Sequence, residues 1–288
     1  MRKSVGIVGL GLIGGSMAKA IRRRINHTPI KDIDSVYALD LNLCTLNQAV
    51  AEGVIDGNLE GNFSKCRLIM IALPPYALLK WVKDNADKLE GSVFVDLCGV
   101  KTAVCDEIRP IAKAHNFTYV GGHPMAGREV AGYKSALESL FDRAYMILTP
   151  DADSDPETVK WLEEFYLAIG FRGVSYATPE RHDDIIAYTS QLAHIASNAY
   201  VKGEMAQQTK GFSAGSFKDL TRVAKLDENM WTELFSSNRR AITEQLRGYI
   251  SCLGEYLEAL EAEDDEKLRS LLRDGRMIKE ALIEDDKE

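Results

Sequence analysis

The sequence lacks the features that mark secreted, metal-binding and membrane-spanning proteins. Its five cysteines are scattered, with no CxxC pair and no cysteine–histidine spacing typical of a zinc site. No apolar stretch reaches the roughly 18 residues of a membrane span. These absences predict a cytoplasmic protein with reduced thiols, no membrane segment and no bound metal.

Positive charge is also in short supply. Lys and Arg together number 35 against 43 for Asp and Glu, so the 288-residue chain carries a formal net charge of −8. A molecule of that sign repels a phosphate backbone, and we therefore expect no nucleic-acid partner. The hydrophobic content of 45% is typical of a folded globular protein with room for one large domain or two ordinary ones.

The first half of the chain alternates short apolar strands with amphipathic helices. The predicted strands span residues 4–8, 36–40, 68–73, 92–96 and 118–120, and the predicted helices span 16–25, 78–88 and 104–115. This alternation is typical of an α/β fold with a doubly wound, mostly parallel sheet. From residue 179 onward helices are predicted at 183–201, 229–257 and 264–283. We therefore expect an α/β domain over 1–176 and an all-α domain over 177–288.

A glycine motif, Gly9-Leu-Gly11-Leu-Ile-Gly14, lies between the first strand and the first helix. Glycines there let the backbone approach a pyrophosphate, to which the N-terminus of the helix donates hydrogen bonds. Asp40 ends the second strand, where a carboxylate binds ribose hydroxyls and repels a 2′-phosphate. The motif predicts a Rossmann-type site that prefers NAD to NADP, formed by Gly9, Gly11, Leu12, Ile13, Gly14 and Asp40. The alternative is a purely structural turn in which Asp40 caps the next helix.

Residues 121–129 form a second informative segment, because they follow the predicted strand 118–120 at the carboxyl edge of the sheet. The imidazole of His123 there can accept a hydroxyl proton while a hydride leaves for a nicotinamide. A histidine with a structural role is equally expected from chemistry alone. The residues by themselves therefore leave both roles of His123 open.

Seven motifs in fixed order carry a resemblance to a known family. They are Gly9–Ser16, Asp96-Leu-Cys-Gly-Val-Lys101, Gly122-His-Pro-Met-Ala-Gly127 with Glu129 and Gly132, Leu140-Phe141, Thr149-Pro150, Glu180-Arg-His-Asp183, and Asp219-Leu-Thr-Arg222 through Trp231. Together they resemble the prephenate dehydrogenases and their arogenate dehydrogenase relatives. The resemblance implies NAD-dependent oxidative decarboxylation of prephenate to 4-hydroxyphenylpyruvate, the committed step towards tyrosine.

The same resemblance implies catalytic roles for His123 and Lys101 and a substrate role for Arg222. His123 matches the family's catalytic histidine, and Lys101 matches a lysine beside the active site. Arg222 matches the arginine that clamps a substrate carboxylate, which suits the two parallel donors of a guanidinium. The alternatives are a solvent-facing lysine at a helix start and, for Arg222, a surface ion pair with Asp219.

Further substrate contacts are implied for His194, Gln191 and Trp231. His194 and Gln191 match two histidines of one family stretch, so a charged contact is lost at the glutamine. Trp231 matches a tryptophan near the pocket, although a core position is equally expected. His182 is interpreted as a structural residue that begins a helix and joins the two domains. Gly99 stands where family members often have a serine that binds the ring hydroxyl.

The apolar residues of the predicted helix 183–201 cover more than a single stripe, so a second copy of the chain is expected to bury some of them. The expected assembly is a homodimer through the helical domain, with a small-molecule substrate. Arogenate dehydrogenase remains a rival because it performs the same ring chemistry. The sequence is also compatible with a 3-hydroxyacid dehydrogenase and with an NAD-binding regulatory protein without turnover.

Overall fold

The computed structural model describes residues 3–28, 30 and 32–285. Its centre is an eight-stranded sheet with the strand order β3-β2-β1-β4-β5-β6-β7-β8. The strands are β1 (Ser4–Val8), β2 (Ser35–Leu39), β3 (Gly57–Asn58), β4 (Cys66–Ile71), β5 (Val93–Asp96), β6 (Thr118–Pro124), β7 (Tyr145–Thr149) and β8 (Gly173–Tyr176). All neighbouring pairs are parallel except β6 and β7. The doubly wound, mostly parallel sheet predicted from the sequence is confirmed.

Helices connect the strands and then continue alone. They are α1 (Leu12–His27), α2 (Leu43–Ala51), α3 (Pro75–Asn85), α4 (Thr102–Ala114), α5 (Pro156–Ala168), α6 (Pro179–Ile186), α7 (Ala193–Tyr200), α8 (Gly215–Thr221), α9 (Glu228–Ser237), α10 (Arg239–Glu261) and α11 (Asp265–Asp285). Several begin at a side chain that accepts a backbone N–H of the first turn; the caps are Asn42, Asp155, Thr178 and Asp227.

The two faces of the sheet are covered by separate apolar layers. Along β4, Leu68 and Met70 point into one layer, and Ile69 and Ile71 point into the other. This alternation follows from the two-residue period of a strand, and burial on both faces explains why the strand is apolar throughout. With both faces covered, the loops at the carboxyl edge are left to form a site.

Strand β6 differs from its prediction. It was expected to end at residue 120, but it continues to Pro124 because it pairs with the antiparallel strand β7, in which His123 lies opposite Ile147. Strand β7 itself falls within a stretch for which the sequence pattern predicts no regular structure. His123 therefore lies on a rigid strand rather than on a loop that follows one.

The helical region is also more interrupted than predicted. The expected helix 183–201 begins at Pro179 and contains a π-helical turn over Ala187–Leu192 between α6 and α7. The expected helix 229–257 is divided between α9 and α10 at Asn238, whose side chain Nδ2 donates to Asp183 O and Gln191 Oε1. Periodicity could not show the break at Asn238, because the side chain there bonds to residues distant in sequence.

The chain divides into two compact units, residues 1–239 and 240–288. The second unit consists of α11 and nearly all of α10. Within it, Lys267 Nζ lies 4.0 Å from Glu255 Oε2. Among the residues that the structure describes, no helix is both long and apolar enough to cross a membrane.

Candidate active site

In the glycine turn after β1, two of the three glycines leave no room for a side chain. Gly9 has φ +89°, and a Cβ added there would lie 2.7 Å from Ala72 O. A Cβ at Gly14 would collide with the carbonyl oxygen of Gly9. Around Gly11, by contrast, no atom lies within 4 Å of an added Cβ. The fold therefore requires glycine at positions 9 and 14, and Gly11 faces open space.

The start of α1 supplies the donors of this turn. Leu12, Ile13 and Gly14 form the first helical turn, and the first helical backbone bond runs from Gly15 N to Gly11 O. The N–H groups before Gly15 have no partner within the helix, and they carry the positive end of its dipole. An anion such as a pyrophosphate is the group that suits them.

Asp40 is tied directly to the glycine turn. Its Oδ2 accepts a hydrogen bond of 2.7 Å from Leu10 N, and its Oδ1 accepts one of 2.8 Å from Asn42 N. Helix α2 is capped by Asn42, which accepts from the backbone N–H groups of Cys44 and Thr45. The alternative in which Asp40 caps that helix is thus wrong. Each carboxylate oxygen of Asp40 keeps a lone pair for a ribose hydroxyl.

His123 is partly exposed, and its two ring nitrogens have different surroundings. Nδ1 lies 2.8 Å from Nε2 of His182. Nε2 faces Gly99, where an added Cβ would lie 3.7 Å away. Burial, the neighbouring His182 and the charge of Lys101 hold the pKa of His123 well below its ordinary value, so the imidazole is neutral at neutral pH. A neutral imidazole has one nitrogen with a lone pair, and that nitrogen is suited to accept a proton.

The loop after β5 is fixed by a buried ion pair. Lys101 is fully buried, and its Nζ donates to Oδ2 of Asp96, which also accepts from Cys98 N at 3.0 Å. Tyr119 Oη donates to the other oxygen of Asp96 at 2.7 Å. Burial alone lowers the pKa of Lys101, but the facing Asp96 outweighs that effect and raises it. Lys101 is therefore a buried cation, and the solvent-facing alternative is wrong.

The thiol of Cys98 lies in the same loop as Gly99. Burial raises the pKa of Cys98 to about 12, although Lys101 acts in the opposite direction. The side chain therefore stays a protonated thiol, which is a weak hydrogen-bond donor. Cys98 is therefore a poor substitute for a hydroxyl at position 99.

Helix α9 covers this loop and approaches three elements at once. Leu234 Cδ2 lies 3.9 Å from the position of a Cβ on Gly99. Glu233 accepts a hydrogen bond from Tyr76 N at the start of α3. Trp231 packs on His194, with ring centroids 4.2 Å apart. Sequence reasoning missed the first two contacts because nothing in the local pattern of α9 indicates them.

Arg222 lies at the end of α8, and its side chain is 67% exposed. Its Nη1 donates to Oε1 of Glu129 at 2.5 Å, so the partner is a residue of the segment that carries His123. In the described part of the chain, this pair replaces the predicted alternative with Asp219. His194 Nδ1 donates to Ser190 O at 2.8 Å, so the other ring nitrogen, Nε2, is not used in that bond.

Gln191 does not reach the open site. It is 2% exposed, and its Oε1 accepts from Asn238 Nδ2 at 2.7 Å. The predicted substrate contact of Gln191 is therefore corrected to an interior hydrogen bond. The interpretation of His182 as a residue of purely structural use missed its contact with His123. That contact joins positions 59 residues apart, and only the tertiary fold creates it.

A glycine turn of the dinucleotide-binding type and a neutral histidine at the same edge of one sheet are features of nicotinamide-dependent dehydrogenases. Two family profiles match in succession. "Prephenate dehydrogenase, nucleotide-binding domain" covers residues 17–175, and "Prephenate dehydrogenase, dimerization domain" covers residues 178–274. The chain belongs to the prephenate dehydrogenase family. The predictions of the family, the NAD-dependent oxidoreductase class and NAD as the cofactor are confirmed.

Individual relatives are similar over nearly the whole chain. The prephenate dehydrogenase of Bacillus subtilis is 29% identical over 98% of this chain and 76% of that protein. The cyclohexadienyl dehydrogenase of Zymomonas mobilis is 26% identical over 98% of this chain and 97% of that protein. The crystal structure of prephenate dehydrogenase from Aquifex aeolicus is 26% identical and superposes with a TM-score of 0.83, covering 98% of this chain and 100% of that one.

Proposed function

We propose that this protein catalyses the NAD-dependent oxidative decarboxylation of prephenate to 4-hydroxyphenylpyruvate, with His123 as the general base. The observation that carries the assignment is the position of His123 Nε2, which faces the space in front of Gly99 at the carboxyl edge of the sheet. The same edge holds the glycine turn after β1. A substrate hydroxyl between the two has a base on one side and the cofactor on the other.

Beyond orienting the substrate, the protein has only to accept one proton and return it. The substrate O–H bond breaks, and the proton moves to His123 Nε2. The carbinol C–H bond breaks with loss of hydride, the bond to the ring carboxylate breaks with loss of CO₂, and the electrons of that bond complete the aromatic ring as a phenolate. The phenolate oxygen then takes the proton back from His123 Nε2, which gives 4-hydroxyphenylpyruvate and restores the neutral imidazole. Because aromatisation drives the reaction, positioning the substrate and accepting the proton are the tasks left to side chains.

The residues of the glycine turn fit NAD. Gly11 leaves open the space that a Cβ would occupy, and the N-terminus of α1 donates to an anion placed there. Asp40 binds the ribose hydroxyls and disfavours a 2′-phosphate, which supports NAD over NADP. NAD, when bound, supplies the hydride acceptor.

Substrate binding falls to Arg222, His194 and Trp231. Arg222 is exposed, and a guanidinium has five N–H donors, so the contact with Glu129 leaves donors for a substrate carboxylate. His194 and Trp231 form an aromatic pair in which Nε2 of the histidine is not used in the bond to Ser190. Lys101 is buried and does not contact the substrate in this proposal. Its ion pair with Asp96 fixes the loop that carries Gly99.

Arogenate is the second candidate substrate. The chain is similar to the Zymomonas mobilis cyclohexadienyl dehydrogenase over almost its full length. The name of that enzyme does not say whether the substrate side chain is that of prephenate or of arogenate, so arogenate is a candidate substrate here. Steady-state assays of NADH formation with prephenate and with arogenate separate the two. We expect the larger kcat/KM with prephenate; equal values, or a larger value with arogenate, would contradict the assignment.

The assembly we propose is a homodimer through the helical domain, residues 177–288, in the cytoplasm. The match of residues 178–274 to a dimerization domain supports it. So does an exposed apolar stripe on α10, formed by Ile250, Leu253, Leu257 and Leu260. Sedimentation equilibrium tests the assembly: a dimer mass is expected, and a monomer at micromolar concentration would contradict it.

A further inference from the structure

A chain of hydrogen bonds runs from His123 into the interior and ends on a carboxylate. His123 Nδ1 lies 2.8 Å from His182 Nε2, and His182 Nδ1 lies 2.8 Å from Asp183 Oδ1. His182 is 1% exposed and Asp183 is 2% exposed. Neither residue faces the open site, so neither can touch a substrate directly.

Asp183 is held as an anion by further backbone donors. Its Oδ1 accepts from Lys101 N and its Oδ2 from Thr102 N, each at 2.8 Å, at the N-terminus of α4. Burial alone raises the pKa of Asp183, but the hydrogen bonds from His182 and Thr102 lower it overall. The helix dipole of α4 stabilises the same charge. An ionised carboxylate accepts hydrogen bonds only, so His182 must carry its proton on Nδ1.

This constraint fixes every proton along the chain. Burial lowers the pKa of His182, so the ring is neutral and its Nε2 holds a lone pair. His123 must then be the donor between the two rings, with its proton on Nδ1. The remaining nitrogen of His123, Nε2, is therefore unprotonated and faces Gly99.

We propose that His182 and Asp183 are positioning residues that hold His123 in the tautomer whose Nε2 accepts the substrate proton. The proposal rests on the proposed function for its catalytic consequence. The tautomer itself follows from the hydrogen bonds alone. When His123 gains a proton, its Nδ1–H still donates to His182, so no bond in the chain has to reverse.

Asp183 connects the proposed base, His123, to the loop after β5. The residues that it holds, Lys101 and Thr102, end the loop that begins at Asp96 and carries Gly99. Asn238 Nδ2 fixes the main chain of Asp183 by donating to its carbonyl oxygen at 2.8 Å. One carboxylate thus sets both the orientation of the base and the position of the loop that Nε2 faces.

Three variants test the positioning role. His182→Met removes the acceptor of the His123 proton, and kcat is expected to fall about 100-fold with KM changed less than about threefold. In His182→Gln the amide oxygen can take the place of Nε2, and at least about tenfold of that loss should return. Asp183→Asn adds a donor beside His182 Nδ1, which reverses the chain and places the proton of His123 on Nε2; kcat should fall as in His182→Met.

The pH profile gives a readout that loss of packing does not produce. The charged and titratable groups that face His123 are His182, Lys101 and Asp183, of which Asp183 raises its pKa. Removing that charge in Asp183→Asn should move the acidic limb of kcat/KM to lower pH. A variant that only loosens the fold lowers the whole profile without moving its limb.

The tautomer can be read without turnover. The chain has five histidines, so the side-chain ¹⁵N resonances are assignable by single substitutions in the full-length protein. In the wild type at neutral pH we expect His123 with Nδ1 protonated and Nε2 unprotonated, and the reverse in Asp183→Asn. If Asp183→Asn fails to fold, the His182 variants replace it: His182→Gln should keep Nδ1 of His123 protonated, and His182→Met should leave both tautomers populated.

The outcomes separate the two proposals. The expected wild-type tautomer without turnover of prephenate would overturn the proposed function and leave the tautomer assignment standing. Turnover of prephenate with His123 protonated on Nε2 in the wild type would overturn the positioning role. So would kcat in His182→Met equal to that of the wild type.

Discussion

Arg222 Nη1 lies 2.5 Å from Glu129 Oε1, which joins the end of α8 to the segment that carries His123 across 93 residues of sequence. Both side chains are substantially exposed, so this ion pair contributes little to stability. Its importance is one of position, because it places a guanidinium beside the segment that holds the proposed base. Under the proposed function, Arg222 binds a substrate carboxylate while His123 accepts the hydroxyl proton.

Replacing Arg222 with Ala should raise KM for prephenate far more than it lowers kcat. A hydrogen bond to a charged group contributes about 1.5–3 kcal/mol, which corresponds to a rise of roughly 10- to 150-fold in KM. Steady-state kinetics at saturating NAD measure it. The matched control is Glu129→Gln, which removes the charge of the partner but keeps the guanidinium and should not raise KM. An unchanged KM in Arg222→Ala would remove this arginine from substrate binding.

Two glycines of the same turn should respond differently to one added methyl group. Gly11→Ala meets no atom within 4 Å, so the thermal midpoint should stay unchanged while the Kd for NAD rises. Gly14→Ala collides with the carbonyl oxygen of Gly9, so it should destabilise the fold by about 1–3 kcal/mol or more. Calorimetry and NAD titration distinguish the two. Unchanged NAD affinity in Gly11→Ala would contradict the placement of the cofactor.

Gly99→Ser should be accommodated and should improve the site. The added Cβ lies 3.7 Å from His123 Nε2, which is ordinary contact, and the hydroxyl can then bond the substrate. A net gain of about 0.5–1.5 kcal/mol predicts roughly a 2- to 10-fold higher kcat/KM for prephenate. Gly99→Ala is the control, since it adds the carbon without the hydroxyl. A lower kcat/KM in the serine variant than in the alanine variant would refute this account of the position.

Lys101→Met should destabilise the protein strongly, because it leaves the buried Asp96 carboxylate without its cation. Removal of one member of a buried ion pair costs about 3–5 kcal/mol. The double variant Lys101→Met with Asp96→Asn should recover part of that loss. Lys113→Met, an exposed lysine on the same helix, is the control and should change the free energy of unfolding by less than about 0.5 kcal/mol. A Lys101→Met protein as stable as the wild type would show that the pair is not structural.

The sequence was sufficient for most strands of the sheet and for the glycine turn, because these rest on local patterns. The two-residue and 3.6-residue periods predict strands and helices, and the spacing of Gly9, Gly11 and Gly14 predicts a turn whose sterics the structure bears out. Strand β7 escaped prediction because its register depends on pairing with β6. Asn238 was missed for a similar reason, since the helix break there is stabilised by bonds to distant residues.

The sequence predicted the main residues of the candidate site but not the residues that hydrogen-bond to them. His123 and Arg222 could be named from motifs, but their partners, His182 and Glu129, come from distant parts of the chain. Lys101 was predicted as a lysine beside the active site, but its ion pair with the buried Asp96 could not be predicted, because only the fold brings the two side chains together. Partners of this kind follow from tertiary packing, which no local period records.

The pH dependence of the reaction follows from the lowered pKa of His123. Only the neutral ring can accept a proton, so kcat/KM should be level through neutral pH and should fall tenfold per unit once the pH drops below that lowered pKa. The fall should therefore lie below the ordinary histidine value of about 6.5. The free energy of unfolding should also fall as the pH drops, because the unfolded chain binds protons on His123 and His182 that the folded chain excludes.

The most direct test of the account is the turnover of prephenate by His123→Asn, measured together with the affinity for NAD. Asparagine keeps a polar side chain but cannot accept the substrate proton, so kcat should fall by about 100-fold to 10,000-fold. The Kd for NAD should stay within about twofold of the wild type, because His123 lies outside the glycine turn. A His123→Asn enzyme with near wild-type turnover would contradict the assignment of this imidazole as the base.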